Sequence, residues 1–556
     1  MRWLAASSAL PLVGCADDSQ DRTFPQGIAS GDPTSDGVLL WTRVEPHAPA
    51  ALELVAYEVA RDPELRDVVA GGTVDALPDA DHTVRVAIAG LAAATTYWYR
   101  FRARGVTSPV GRTCTAPARD ADAPLRIALA SCQDYGGRWF GAWRAVDDDV
   151  DLVLFIGDYI YETIGHLAAV LPPDRTPAIP DGLVLDDPLK GSVAALTLAD
   201  YRALYRQYRR DPDLRAVHAR FPFVMMWDDH EFANDCWRDH ATDFDDARGD
   251  ERSPERRAAA TRAWYDYCPV RRDRELYRSL RWGRHAELVL IDERSYRDDD
   301  LIPEGPVDAK VGHIMMNSAF GARTFVIKDA FDAREAAAVP PPSMLGTAQR
   351  DWAIAAVQGS TATWKLLASP LVMAQLVIDL TGYAQLPDQF RKRFYFKTDQ
   401  WDGFRSERRA LLEACAGVDN LVVLSGDLHG FYAAELHADF DAPAAEPIAV
   451  EYAVSAISAA TVDVQLDAVV AAYPLLGALG LADLVPQLDA NARAANPHLV
   501  HSESTRNGLA IVDVAPDEVR VRFVHVDDVT SPEGAATDSV AFRTPLGSRR
   551  VLPYGG

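Results

Sequence analysis

The chain has 556 residues, too many for one compact core, and carries 81 Asp and Glu against 56 Lys and Arg, a formal net charge of −25. A surface of that sign repels nucleic acid and anionic membrane faces, so no nucleic-acid-binding module is expected, and any anionic substrate would need cations placed at its own site. The composition is that of a globular protein, 48% hydrophobic and 25% charged, and six scattered cysteines without a CxxC pair exclude a dense disulfide scaffold or zinc-finger spacing. Up to two bridges among Cys114, Cys236, Cys268 and Cys415 stay open.

Residues 1–23 read as an export signal and short tether. One Arg, a short apolar core and small residues before Cys15 match a secretory signal. Leu12-Val13-Gly14-Cys15 resembles a bacterial lipobox, which gives a lipid anchor through Cys15; a plain signal with an incidental Cys is the alternative. Either places the mature chain outside the cytoplasm, as a periplasmic or cell-surface lipoprotein or a secreted protein. No later run is long enough for a transmembrane helix. Residues 24–117 alternate apolar and polar side chains in several short runs, with turn residues such as Asp32-Pro33-Thr34-Ser35-Asp36-Gly37 between them. This predicts a small β-sandwich of immunoglobulin or fibronectin type. A linker over 116–124 follows, then an α/β region over 125–530 and a C-terminal tail over 531–556.

Within the α/β region, four apolar runs share one build. Residues 127–130 lead into Ser131-Cys132, and 152–156 into Gly157-Asp158-Tyr159-Ile160-Tyr161. Residues 223–226 lead into Trp227-Asp228-Asp229-His230-Glu231, and 421–424 into Ser425-Gly426-Asp427-Leu428-His429. Unbroken apolar runs predict strands buried on both faces, and α/β folds gather ligands beyond the carboxyl ends of their strands. Four strands tipped with Cys, Asp or His therefore point to one shared metal site. Two more buried strands are predicted at 287–292 and 364–370. A helical aromatic stripe over 198–218 reads as core packing, and the Ala/Leu-rich stretch over 463–496 as a helical lid or insertion.

The clustered residues carry particular chemistries. Asp158 and Tyr161, three apart, share a side if the chain turns helically there, and a carboxylate with a phenolate suits Fe(III). A strand-end Asp with a core Tyr is the bland alternative. Cys132 reads as an inert buried thiol, as a metal ligand, or as a nucleophile with His230 as its base. Asp427 and His429, two apart, share a side of an extended chain. The carboxylates near Asp229 and the Asn234 amide suit a hard cation such as Ca²⁺ or Mg²⁺.

These motifs, in this order, resemble the alkaline phosphatase D (PhoD-like) family of the calcineurin-like metallophosphoesterase superfamily, which includes purple acid phosphatases. The resemblance runs from Phe24-Pro25-Gln26-Gly27-Ile28-Ala29-Ser30-Gly31-Asp32-Pro33 through the four strand ends, with Asp211-Pro212-Asp213-Leu214 and Trp401-Asp402-Gly403 between. It implies an αββα metallophosphoesterase sandwich behind the N-terminal β domain. Four positions depart from the superfamily pattern of D, GDxxY, GNH[DE], a lone His and GHxH. Cys132 stands for the first Asp, Asp229 for the Asn, and Asp427 for the first His of the last motif, while Ala368-Ser369 stands where the lone His is expected. The loss of nitrogen ligands fits an iron–calcium centre. By resemblance, Cys132, Asp158, Tyr161 and His429 hold Fe³⁺, and Asp158 bridges to Ca²⁺ bound by Asp229 and Asp427, with Asn234 a further candidate.

The implied activity is hydrolysis of phosphate mono- and diesters at alkaline pH by a metal-bound hydroxide, with His230 stabilising the pentacoordinate state or protonating the leaving oxygen. Two other readings remain at this stage: a secreted binding protein with a catalytically dead phosphatase domain, and a thiol hydrolase built on Cys132 and His230.

Overall fold

The computed structural model describes residues 18–555 except 165–174, 188–190, 246–248, 274, 303–308, 312–313, 318–320, 323, 443–445, 473–476 and 478–481. The predicted signal and Cys15 lie outside the described residues. Two large sheets, one of ten strands and one of seven, face each other. The strand Leu152–Ile156 shows why. Leu152, Leu154 and Ile156 point into the layer between the sheets, where they meet Leu288, Leu366, Val422 and Leu424 of the seven-stranded sheet. Val153 and Phe155 point the other way, into the core layer that also holds Tyr201, Leu204 and Tyr205 of the helix Leu198–Tyr208 and Trp264 of the helix Pro254–Tyr267. Side chains alternate along a strand, so a run with no polar member can only be satisfied by apolar layers on both faces.

The outer face of the seven-stranded sheet is covered in the same way. Val289, Leu367 and Val423 pack on Ala353 and Val357 of the helix Gly346–Gly359 and on Leu411 and Leu412 of the helix Arg405–Cys415. Helix, sheet, sheet and helix thus make four layers, the αββα arrangement expected.

Residues 24–117 do form two facing sheets, joined through Val38, Leu40, Val55, Val59, Tyr99 and Phe101. The expected immunoglobulin- or fibronectin-type unit is nevertheless not a closed sandwich of its own. Its strands Ile28–Thr34, Gly37–Arg43 and Thr83–Ala89 are the edge of the ten-stranded sheet, and Ile28–Thr34 pairs in parallel with Pro222–Met226, Ser30 opposite Pro222. Alternation along a segment announces a strand but says nothing of its partner nearly two hundred residues on.

The tail expected from 531 is also strand. Ala536–Pro545 pairs with Glu518–Val526, with Val540 opposite Phe523, and Phe542 and Val551 are buried between the two sheets. Cys114, Cys236, Cys268 and Cys415 are free thiols, so neither bridge forms. The aromatic stripe over 198–218 is two helices, Leu198–Tyr208 and Pro212–Arg220. The second starts where the Asp211 carboxylate accepts from the N–H groups of Asp213 and Leu214 ahead of Pro212 at the first turn. The 463–496 stretch is helical at Val462–Ala472 and Leu488–Ala495. Among the described residues no helix is long and apolar enough to cross a membrane.

If residues 536–545 belong to the inter-sheet core, Phe542→Ala should cost about 3–5 kcal/mol. The measurement is a denaturant melt of the variant against wild type; an unshifted midpoint would return these residues to the status of a tail.

Candidate metal centre

The strands Leu125–Ala130, Leu152–Ile156 and Pro222–Met226 are parallel neighbours, so their carboxyl ends lie side by side. The strand Leu421–Ser425 of the facing sheet ends at the same place, where Ser131 bridges to Ala456 across the two sheets. Approach is close enough to exclude side chains: a Cβ on Gly157 would stand 2.5 Å from Asp228 Cβ, and one on Gly426 2.7 Å from Ser131 Oγ.

Four of the predicted site residues have left-handed backbones: Cys132 (φ 57°), Asp158 (φ 58°), Asp427 (φ 63°) and His429 (φ 52°). Such conformations cost on the order of 1–3 kcal/mol each for residues other than glycine, and they persist only where surrounding bonds impose them. Here the Cys132 N–H donates to Gly157 O at 3.1 Å and the Gln133 N–H to Asp158 O at 3.0 Å. The buried Glu231 carboxylate does the rest. It accepts from the N–H groups of Asp228 (2.8 Å), Asp158 (3.1 Å) and Tyr159 (2.6 Å), tying two strand ends together. Asp158 and Tyr161 therefore meet, as expected, but through a left-handed turn instead of a helical one. The Tyr161 hydroxyl lies 3.3 Å from Asp158 Oδ2 and 3.1 Å from His429 Nε2.

Seven of the eight predicted residues, Asp158, Tyr161, Asp229, His230, Asn234, Asp427 and His429, line one cavity of about 70 Å³, together with Asp134, Lys397 and Gln465. Cys132 is buried behind it, and ligand atoms of Cys132, Asp158 and His429 lie within 4.8 Å of one another. A second group of the same tightness joins Asp158, Asp228, Asp229 and Asp427. Asp158 belongs to both.

Each imidazole is fixed by its Nδ1. That of His429 donates to Ala460 O at 2.6 Å, which leaves Nε2 as an acceptor turned toward Tyr161 and the cavity. Burial drives its pKa down to about 3, so the ring is neutral, the form that ligates metals. His230 differs. Its Nδ1 is 2.6 Å from Glu162 Oε2, and that carboxylate also accepts from the Asn234 N–H at 2.8 Å. Burial alone would lower its pKa, but Glu162, Asp158 and Asp229 hold it well above the ordinary value.

The acids are crowded and dry. Burial pushes Asp158 and Asp427 above the usual carboxylate range, and burial with the Asp158 charge pushes the Cys132 thiol up. Asp229 goes the other way: against the effect of burial, Arg294, His230 and Lys397 hold it well below that range. Arg294 is fully buried and pairs with Asp228 and with Asp399 (2.7 Å), while its Nη2 stands 3.6 Å from Asp229 Oδ2. Lys397 Nζ is 3.0 Å from Asp235 Oδ1.

The donor chemistry fits two cations of different kinds. A thiol, a phenol, an imidazole Nε2 and a carboxylate suit ferric iron, whereas the all-carboxylate group, with the Asn234 amide on the cavity wall, suits a hard oxygen-loving ion. A thiol hydrolase fits poorly. The Cys132 thiol is withdrawn from the cavity lining and its pKa is raised, the opposite of an activated nucleophile.

A family model described as PhoD-like phosphatase matches residues 127–523, and one described as PhoD-like phosphatase, N-terminal domain, matches residues 7–117. The chain belongs to the PhoD-like phosphatase family. Alkaline phosphatase D of Bacillus subtilis (strain 168) is 32% identical over 467 residues, covering 80% of this chain and 71% of that protein. A solved structure of PhoD superposes with a TM-score of 0.76 at 28% identity, covering 96% of this chain and 92% of that one. This member of the PhoD-like family is thus a phosphoric ester hydrolase.

Sequence reasoning leaves several of the site's residues unassigned. Glu231 and Asp228 stand inside the predicted Trp227–Glu231 run, and Glu162 follows Tyr161 directly, so adjacency to a predicted ligand is the signal they offer. Arg294 and Lys397 come from segments with no ligand-type pattern.

Removing Glu231 tests the brace. Leaving a buried N–H unpaired costs about 1–3 kcal/mol, and Glu231→Ala orphans three. The variant should unfold at a markedly lower temperature and retain less metal, with Glu231→Gln intermediate. Wild-type melting and metal content in Glu231→Ala would show that the Asp158 turn holds itself.

Proposed function

We propose that the chain is an alkaline phosphomonoesterase and phosphodiesterase acting outside the cytoplasm on an iron–calcium centre. Cys132, Asp158, Tyr161 and His429 hold Fe³⁺, and Asp158, Asp229 and Asp427, with Asn234, hold Ca²⁺. Export follows the signal read in residues 1–23, with Cys15 as the lipid anchor. The observation that carries the metal assignment is the double membership of Asp158, which stands in both a Cys/Asp/His group and an all-carboxylate group.

The chemistry supplied by such a pair is Lewis acidity toward phosphoryl oxygens and a water whose pKa falls from 15.7 toward about 7. The chain's own residues do the remainder. Glu231 and the left-handed turns fix Asp158 between the two groups. The Ala460 carbonyl keeps the His429 proton on Nδ1, so that Nε2 is the ligating atom. Glu162 engages His230 Nδ1 and favours the imidazolium, which leaves Nε2–H as the acid. As water attacks phosphorus and the ester P–O bond breaks, the leaving oxygen takes that proton.

A Cys thiolate and a Tyr phenolate on Fe(III) absorb visible light, so the active protein should be coloured, and Tyr161→Phe should shift or bleach the band. Elemental analysis should return iron and calcium, and a calcium-selective chelator should abolish activity until Ca²⁺ is restored. A colourless, fully active preparation, or rescue by Zn²⁺ and not Ca²⁺, would sink this assignment.

His230→Ala should lower kcat about 10²–10⁴-fold with both metals retained. The loss should be smaller on a nitrophenyl phosphate, whose leaving oxygen departs without a proton, than on an alkyl ester. Equal losses on both, with metal missing from the variant, would reduce His230 to a brace.

A further inference from the structure

A net charge of −25 and a crowd of site carboxylates make a phosphate ester an unwelcome guest, so the position of local cations matters. Arg294 and Lys397 both stand against the acidic groups, and they are placed differently. Arg294 is fully buried, is committed to Asp228 and Asp399, and is absent from the cavity wall. It neutralises the acids from behind.

Lys397 lines the cavity beside His230 and His429. It ends the strand Arg393–Lys397, which pairs with Thr324–Ile327 in a separate six-stranded sheet, so it reaches the site from outside the framework that carries the predicted ligands. Three carboxylates lie near its ammonium: Asp235 Oδ1 at 3.0 Å, Asp399 Oδ2 at 3.7 Å and Asp427 Oδ2 at 3.8 Å. Of these carboxylates Asp235 is the nearest, and it makes an ion pair with a group that has three N–H donors. The other two carboxylates bias the charge toward the cavity without consuming its donors, and the Asp427 oxygen nearest Lys397 is already taken by the Gln400 amide at 2.6 Å.

We propose that the Lys397 ammonium binds a non-bridging oxygen of the phosphoryl group, in the substrate and in the released phosphate, while Asp235 holds it in place. The inference rests on the phosphoryl reading of the cavity. It makes Lys397 a substrate-binding residue, with an effect on KM larger than on kcat, because a cation that meets the ester and the transition state alike contributes mainly to binding.

The test uses the full-length, metal-loaded protein and inorganic phosphate followed by calorimetry. Lys397→Met should weaken phosphate binding about 10- to 100-fold, the worth of one charge-assisted hydrogen bond. It should also raise KM for a nitrophenyl phosphate by a similar factor, with iron and calcium content unchanged. Lys397→Arg should recover most of the affinity. Unchanged phosphate affinity in Lys397→Met with both metals present overturns the proposal and leaves Lys397 as a counter-charge for Asp235. If the methionine variant does not fold, Lys397→Gln, which keeps a polar head without the charge, is judged by the same criteria. Wild-type protein that neither binds phosphate nor hydrolyses the ester would instead overturn the phosphoryl reading, and this proposal with it.

Discussion

Everything at this site depends on holding like charges together out of water. Ligand atoms of Asp158, Asp228, Asp229 and Asp427 lie within 4.8 Å of one another, and those of Asp229, Asp235 and Asp399 form a second such set. A buried carboxylate is stable as an anion only beside positive charge or donated hydrogen bonds. Arg294, Arg297, Lys397 and His230 provide four cationic neighbours for six carboxylates, and backbone N–H groups provide more. The remainder of the anionic charge is what a pair of multivalent cations is suited to balance. The field of these crowded acids and the burial that keeps them from water are therefore one design, not two.

The left-handed turns are the mechanical counterpart. A strand that simply continued would scatter its side chains on alternate faces. At Cys132, Asp158, Asp427 and His429 the backbone reverses hand, which throws each side chain back across the strand ends toward a common point. Glu231 is a second kind of carboxylate in this setting: it accepts three N–H groups and lies outside the groups that share Asp158. Burial raises its pKa to about 7, yet its role is geometric, because it fixes the turn on which Asp158 depends.

The amino-acid sequence makes the centre of this molecule legible and its periphery much less so. Strands buried on both faces are written as unbroken apolar runs, which is why the strands leading to Cys132, Asp158, Asp229 and His429 stand out, and with them the convergence of their tips. The local conformation at those tips is another matter. A helical turn at Asp158–Tyr161 and an extended Asp427–His429 are the natural readings of their spacing, yet both are left-handed, since the φ angles are set by partners such as Gly157 O and Glu231 that lie elsewhere in the chain. Lys397 and Arg294 bear no mark at all, because a lysine ending one strand and an arginine after another look like surface residues until the fold turns them inward. The shared sheet is equally hidden. Ser30 and Pro222 carry nothing that advertises their pairing, and Phe542 sits in a segment whose polar composition reads as a tail.

That shared sheet has a consequence for how the molecule comes into being. The ten-stranded sheet begins with residues 28–34 and is finished by residues 536–545 and 552–553. Its first strand finds its parallel partner only after residue 222 has been made, and its far edge closes within a few residues of the last one described. Contacts of such long sequence separation must close large loops before they stabilise anything, which slows folding. The strands of the N-terminal region that belong to this sheet therefore gain their parallel neighbour well after their own synthesis. In a polypeptide of this topology the ten-stranded sheet, and with it the strand-end turns that carry Cys132 and Asp158, is complete only when strands more than five hundred residues apart in the sequence have come together.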